Sequence, residues 1–293
     1  MAVSTLANLT NENRIIYETA LINRLLPMLH AYNDAQKSVL PQNSGTTVNW
    51  RKFTSLAIPE SELTEGVTPA GTSLAVSKVE GVAKQYGDFV TISDLLAYAG
   101  IDKAMTEGAL LCGEQAALLI DTVVLNAMGE TTNTMGSAST DLTETLEKQV
   151  VLKLKRANAR RFEDGYYHAL ITPAQAYALM NQEGWIAAAK YGSIKKLLKG
   201  EVGELHGVRF MESTNVPEAD GSATAFIYGA DSYGVVDMEG GAGKPSIITK
   251  DFGSAGADDP LNQRASIGWK NLFVAKVLDD KAIYEVTTKG DGE

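Results

Sequence analysis

The sequence is poor in the residues on which most enzymes and all disulfide-stapled domains depend. Its 293 residues include one cysteine, Cys112, and three histidines, His30, His168 and His206. A single thiol excludes an internal disulfide framework and any multi-cysteine metal site. No paired-histidine helix supplies zinc ligands, no Gly-x-Ser-x-Gly elbow presents a nucleophile, and no Gly-x-Gly-x-x-Gly opens a helix. Aromatic content is 7%, so burial relies on aliphatic side chains. Positive charge is short too: 26 Lys and Arg against 36 Asp and Glu leave a net charge of −10. Phosphate binding needs a basic field, so this balance argues against a general DNA-wrapping protein. The chain lacks a basic n-region leading into an apolar core, and no apolar run of about 18 residues stands out. The expectation is a chain neither exported by a standard signal nor spanning a membrane. The length predicts about two domains, or one elaborate one.

What is present is a succession of well-marked elements. A helix is predicted after Asn11 or Asn13, with Ile15, Ile22, Leu26 and Leu29 on one stripe and Pro27 interrupting it. Residues 46–53 then alternate like a half-buried strand, and strand character resumes over 72–82. Between them lie Pro59, Gly66, Pro69 and Gly71 with the acids Glu60, Glu62 and Glu65. Two strands joined this way make a hairpin far longer than a tight turn requires. It is either a flexible surface hairpin or an arm that reaches another molecule.

A short strand over Tyr86–Ile92 leads to a helical turn capped by Ser93 or Asp94. A long helix is predicted over Asp102–Met128. Met105, Ala109, Cys112, Ala116, Leu119, Ile120, Val123 and Ala127 form its slim face. Glu107, Leu111, Glu114, Leu118, Asp121 and Leu125 lie opposite, and that face is expected to be partly covered. Gly129–Thr140 reads as a linker. A further helix runs from Asp141 or Thr143 to about Phe162, with Lys153, Arg156 and Arg160 on one face. A strand at 166–171, a turn at Thr172-Pro173, a helix to Met180 and a basic segment within 184–200 follow. Strands are then predicted over Leu205–Met211, Ala223–Gly229, Ser232–Met238, Ser246–Lys250, Ala265–Leu278 and Ala282–Thr287. The class is α+β.

Candidate chemistry mostly dissolves on inspection. Gly240–Pro245 has proline where a phosphate-binding loop needs a hydroxyl, so it reads as a plain turn. His168 reads as a packed or edge histidine, and Cys112 as a buried structural thiol. Glu107, Glu114 and Asp121 stand seven residues apart, about 10 Å along a helix, which is a polar stripe before it is an acid–base pair. No catalytic, cofactor-binding or metal-binding residue is assigned, and the chain is expected not to be an enzyme.

Three stretches carry a resemblance. Leu63-Thr64-Glu65-Gly66-Val67-Thr68-Pro69, followed by residues 84–94 (KQYGDFVTISD), is similar to the extended hairpin and following strand of tailed-bacteriophage major capsid proteins. Residues 203–217 (GELHGVRFMESTNVP) resemble a strand-and-turn segment of such coats. Asp259-Pro260-Leu261-Asn262-Gln263 with Ile267-Gly268-Trp269-Lys270 resembles the returning strands of the N-four-type coat branch.

The resemblance implies the Hong Kong ninety-seven fold. Mapped here, it gives an N-terminal arm over 1–45 and an extended hairpin loop over 46–85. A peripheral domain over 86–165 would hold a spine helix at 102–128. An axial domain would cover 166–250, with returning strands at 251–293 completing the peripheral domain. It further implies a subunit that self-assembles into hexamers and pentamers of an icosahedral head enclosing double-stranded DNA, which it would touch weakly and non-specifically. Assembly in the host cytoplasm, residence in the virion, and scaffolding, portal and decoration partners are also expected, with no cofactor and no membrane. The alternative is an encapsulin-like shell of a cellular nanocompartment. Assembly contacts are expected at the hairpin tip: Glu62, Thr64, Glu65, Gly66, Val67 and Pro69.

Overall fold

The fold is organised around one long strand, β13 (Arg264–Val277), in a computed structural model of the chain. The structure describes residues 29–41, 43–58, 60, 62–63, 65–68, 71–99, 104–182, 185, 201–219, 221–238, 246–254 and 259–290. The expected helix at residues 11–29 lies outside these apart from Leu29, as do the basic segment apart from Trp185 and the Gly240–Pro245 turn.

β13 pairs antiparallel with β4 (Lys84–Ser93), β11 (Tyr233–Met238) and β12 (Ser246–Lys250), while β1 (Gln36–Leu40) adds parallel to β11. A seven-stranded sheet has the order β5 (Thr134–Gly136), β14 (Ile283–Lys289), β10 (Ser222–Tyr228), β6 (Tyr167–Ile171), β8 (Val208–Glu212) and β7 (Glu201–Leu205), with β9 (Glu218–Ala219) also on β10. β2 (Thr47–Phe53) and β3 (Val76–Val82) form a separate antiparallel hairpin. Five helices complete the described residues: α1 (His30–Asp34), α2 (Asp94–Ala99), α3 (Ala104–Met128), α4 (Glu144–Arg156) and α5 (Pro173–Met180).

Every residue of β6 is buried, because both faces of its sheet are covered. Alternation sends Tyr167, Ala169 and Ile171 toward a core shared with Leu142, Val150 and Leu154 around α4. Leu170 faces the other way, into a core containing α3 and the five-stranded sheet. α3 spans about 37 Å and packs against both sheets, with Ile120, Val124 and Met128 in one cluster with Trp269, Phe273 and Phe226. Glu107–Met128 is long and apolar enough to cross a membrane, which corrects the expectation that no such stretch exists. Its apolarity is spent on the core, where just over half of its most apolar stretch is buried.

The face opposite the slim one is partly covered, as expected: Leu111 and Leu118 are exposed, while Asp121 and Leu125 are each only 1% exposed. Asp121 accepts from the Ala31 backbone N–H at 3.3 Å and from Asn215 Nδ2 at 3.1 Å. Burial raises its pKa, and these donors offset part of that rise.

Several boundaries shift for local reasons. α4 starts where Thr143 accepts from Leu146 N–H, but ends at Arg156, short of Phe162. Asn158 adopts φ 54 there, and the Ala159 and Asn158 N–H groups return to the Leu154 and Lys155 carbonyls, which closes the last turn. The stretch expected as one strand over Leu205–Met211 is two, β7 and β8. His206 (φ 48) and Gly207 (φ 89) both sit left-handed between them, the requirement of a two-residue hairpin turn. The Gly129–Thr140 linker contributes β5 as an edge strand.

The strands also divide otherwise than the expected cut at 250/251. β11 and β12 belong with β4 and β13, whereas the last strand, β14, pairs with β10 in the other sheet.

Candidate functional site

The feature that stands clear of the two-sheet body is the β2–β3 hairpin. Its register runs from Thr47↔Val82 to Phe53↔Val76, and the burial of β2 alternates only near its foot. Trp50 fixes that foot. A Cβ at Gly81 would lie 3.0 Å from Trp50 Cζ3 and 3.2 Å from Val274 Cγ2, so the indole packs where only glycine leaves room. Lys52 adds an ion pair to Asp279.

Beyond Phe53 the chain leaves the ladder. Leu56, Ile58, Leu63, Val67 and Leu74 are all more than half exposed. The residues singled out at the tip fall here: Glu62, Glu65, Gly66 and Val67 are exposed, and Gly66 takes φ 77 in open space. Thr64 and Pro69 lie outside the described residues. The tip thus presents carboxylates interleaved with apolar side chains that nothing among the described residues covers.

Across the β4–β13–β12 surface lies a groove of about 640 Å³ that the sequence did not announce. Gly268 opposes Phe89 across the ladder, and a Cβ there would come within 2.7 Å of Phe89 Cβ and 2.9 Å of the Asp88 carbonyl oxygen. Exposed Phe89 and Ile248 give the groove apolar lining, and Lys250 and Lys270 supply positive charge. The signal available in the sequence was glycine inside a strand pattern, at Gly87 and Gly268, which marks close backbone approach.

Reactive groups elsewhere do not converge on one site among the described residues. Cys112 is 2% exposed, its thiol contacts the Ile267 carbonyl at 3.8 Å, and burial together with the Asp88 charge raises its pKa. Glu107 is exposed on α3 while Asp121 is engulfed, so the three-carboxylate stripe is not one site. Lys153 lies over the Tyr284 ring at 5.7 Å and Arg160 bonds Asp231 at 2.9 Å from beyond the helix end, which dissolves the expected basic face. His168 is packed, as expected, but also sits between two carboxylates. Among the described residues no group of three or more His, Cys, Asp or Glu is placed to hold a metal ion.

Comparison with known proteins bears on this arrangement. No curated protein matches the sequence. In structure the chain is similar to the capsid of Ralstonia phage GP4, at TM-score 0.67 and 14% identity, with 88% of this chain and 87% of that one covered. It is similar to the mature capsid of bacteriophage PhiM1, at TM-score 0.64 and 13% identity over 87% and 86% of the two chains. A virus-like particle from Pyrococcus furiosus shares the fold at TM-score 0.57 and 12% identity, over 92% and 96%. Likeness at such identities establishes the fold alone. Kinship rests on sequence, where residues 77–286, well over half of the chain, match the family described as phage capsid protein. With that match, the projecting hairpin and the two-sheet body around one long helix, the chain belongs to the phage capsid protein family and has the Hong Kong ninety-seven fold.

Proposed function

We propose that this major capsid protein builds an icosahedral phage head from hexamers and pentamers, and that the hairpin tip is an intermolecular contact. The observation that carries the proposal is the tip itself. Its exposed Leu63 and Val67, flanked by Glu62 and Glu65, match the apolar lining and the lysines Lys250 and Lys270 of the groove in both respects. A neighbouring copy supplies the tip and this copy the groove. Many such modest contacts add up around a closed shell. The five-stranded sheet with α3 corresponds to the peripheral domain and the seven-stranded sheet to the axial domain. In this assignment residues 233–250 are peripheral and 283–289 axial.

The role is non-enzymatic, in keeping with the buried thiol and the structural carboxylates. The acidic net charge keeps contact with packaged double-stranded DNA weak. Scaffolding, portal and decoration proteins are the further partners, and assembly takes place in the host cytoplasm before residence in the virion. The alternative is a nanocompartment shell, which is compatible with the shared fold but less supported than a phage head. Small particles free of nucleic acid would decide for it.

Electron microscopy of the purified chain with its scaffold tests the proposal. Closed particles are expected from the natural sequence, and a short Gly/Ser turn replacing residues 62–71 should abolish them while leaving a folded chain, since loop-tip backbone is solvated. Lys250→Glu with Lys270→Glu should do the same, and Glu62→Lys with Glu65→Lys should restore particles. Normal particles from the loop-replaced chain would overturn the role of the tip.

A further inference from the structure

The two sheets meet along a seam crossed by one strap of chain, residues 29–40. At one end β1 extends the five-stranded sheet through β11. At the other, α1 lies on the seam, where the Ala31 carbonyl accepts from Tyr233 OH at 2.6 Å and Tyr32 OH donates to Asp237 at 2.5 Å. Asp34 ends that helix and reaches into the seven-stranded sheet. Its Oδ2 lies 2.6 Å from His168 Nδ1 on β6 and accepts from Tyr228 OH on β10 at 2.8 Å.

His168 has a carboxylate on each side. Nε2 is 2.9 Å from Asp164 Oδ2, and the ring is stacked on Phe162 with centroids 3.9 Å apart. A neutral imidazole has one N–H and one lone pair, whereas the imidazolium donates from both nitrogens. Two carboxylate oxygens at these distances therefore call for the doubly protonated ring.

We propose that His168 is a proton-operated latch: while the ring carries both protons it fastens the strap to the seven-stranded sheet, and loss of one loosens the seam. In either neutral tautomer one carboxylate faces a lone pair, and any bond kept to Asp34 loses the charge of the imidazolium. The surrounding groups bias which contact gives way. Arg209 on β8 holds Asp164 at 2.7 Å and Glu204 on β7 at 3.1 Å, and the Tyr166 backbone N–H also donates to Asp164. Asp164 is thus secured independently of His168, while Asp34 depends on the histidine and Tyr228. Asp121 on α3, near His30 and Tyr233, lines the far side of α1.

Burial alone would lower the His168 pKa, but the hydrogen bonds and charges of Asp34 and Asp164 outweigh it, so the net shift is upward from 6.5. The latch is therefore fully closed below the unfolded value and opens as pH rises through the higher folded one.

The test uses the full-length, unassembled chain. The His168 ring proton is titrated by NMR, and amide exchange is followed across the same pH range with intrinsic rates divided out. The expected midpoint lies above 6.5. Protection of residues 36–40 should fall across it, while amides of β10 and β14 hold theirs. His168→Asn, neutral at every pH, should show strap exchange fixed at the wild-type alkaline level. A midpoint at or below 6.5, strap protection flat across the midpoint, or pH dependence retained in His168→Asn would each overturn the latch. Should the variant not fold, the wild-type titration decides alone.

Discussion

Trp269 and Gln115 are hydrogen-bonded at the edge of the main core, the indole Nε1 donating to the amide Oε1 at 3.0 Å. The same amide turns its Nε2 to Asp88 at 2.7 Å. One side chain of α3 thereby ties β13 to β4. Gln115→Ala would strand the N–H of a tryptophan that is only 3% exposed, and the loss is expected to be about 1–2 kcal/mol. Urea unfolding of the variant measures it, with a lower midpoint at unchanged slope as the expected outcome.

Glu147 is fully buried on α4, 3.2 Å from His206 Nδ1. Burial, reinforced by the charge of Glu144, pushes its pKa up to about 8. A carboxyl raised this way binds its proton more tightly folded than unfolded, so its contribution falls as pH climbs from about 4.5 toward 8. Glu147→Gln should remove that slope and stabilise the chain near pH 7 by about 1–3 kcal/mol. Thermal unfolding from pH 5 to 8 reads the difference, and identical slopes for the two chains would contradict it.

Cys112 is expected to resist thiol reagents in the folded chain. Its burial and raised pKa leave little thiolate at the surface. Labelling by an aromatic disulfide should proceed at the unfolding rate, and stoichiometric labelling within seconds of mixing would refute this.

Covalent stapling between subunits is not expected. A lysine nucleophile must be neutral and desolvated, yet residues 53–77 hold no lysine. Lys52 is paired with Asp279 and Lys78 with Glu80 at the foot of the hairpin, and Asn271 is 1% exposed within the core. Boiled, reduced particles should run as one band near 31.3 kDa. A ladder of multiples carrying Lys–Asn linkages would overturn this.

What could be recognised in the sequence was what the chain encodes over short distances. The hairpin announced itself through alternation on either side of an acidic Gly/Pro tip, and α5 through Thr172 and Pro173, which do form its cap. The split of β7 from β8 was hidden because His206-Gly207 lies inside an otherwise strand-like run, though both residues turn left-handed there. The groove and the His168 cluster were hidden for another reason. Each exists only when distant segments meet: Phe89 with Gly268, and Asp34 with His168. No local pattern carries that information.

The pairing of β4 with β13 joins residues more than 170 positions apart, and this sets a timetable for synthesis. A ribosome that has made the first 250 residues has already released the hairpin, complete and sticky. The groove that suits it has no far wall until residues 264–270 emerge. If tip and groove meet as proposed, nascent chains carry a key without a lock and polymerisation waits on termination. A chain cut short before β13 is left with an unpaired β4 edge, the kind of surface that aggregates.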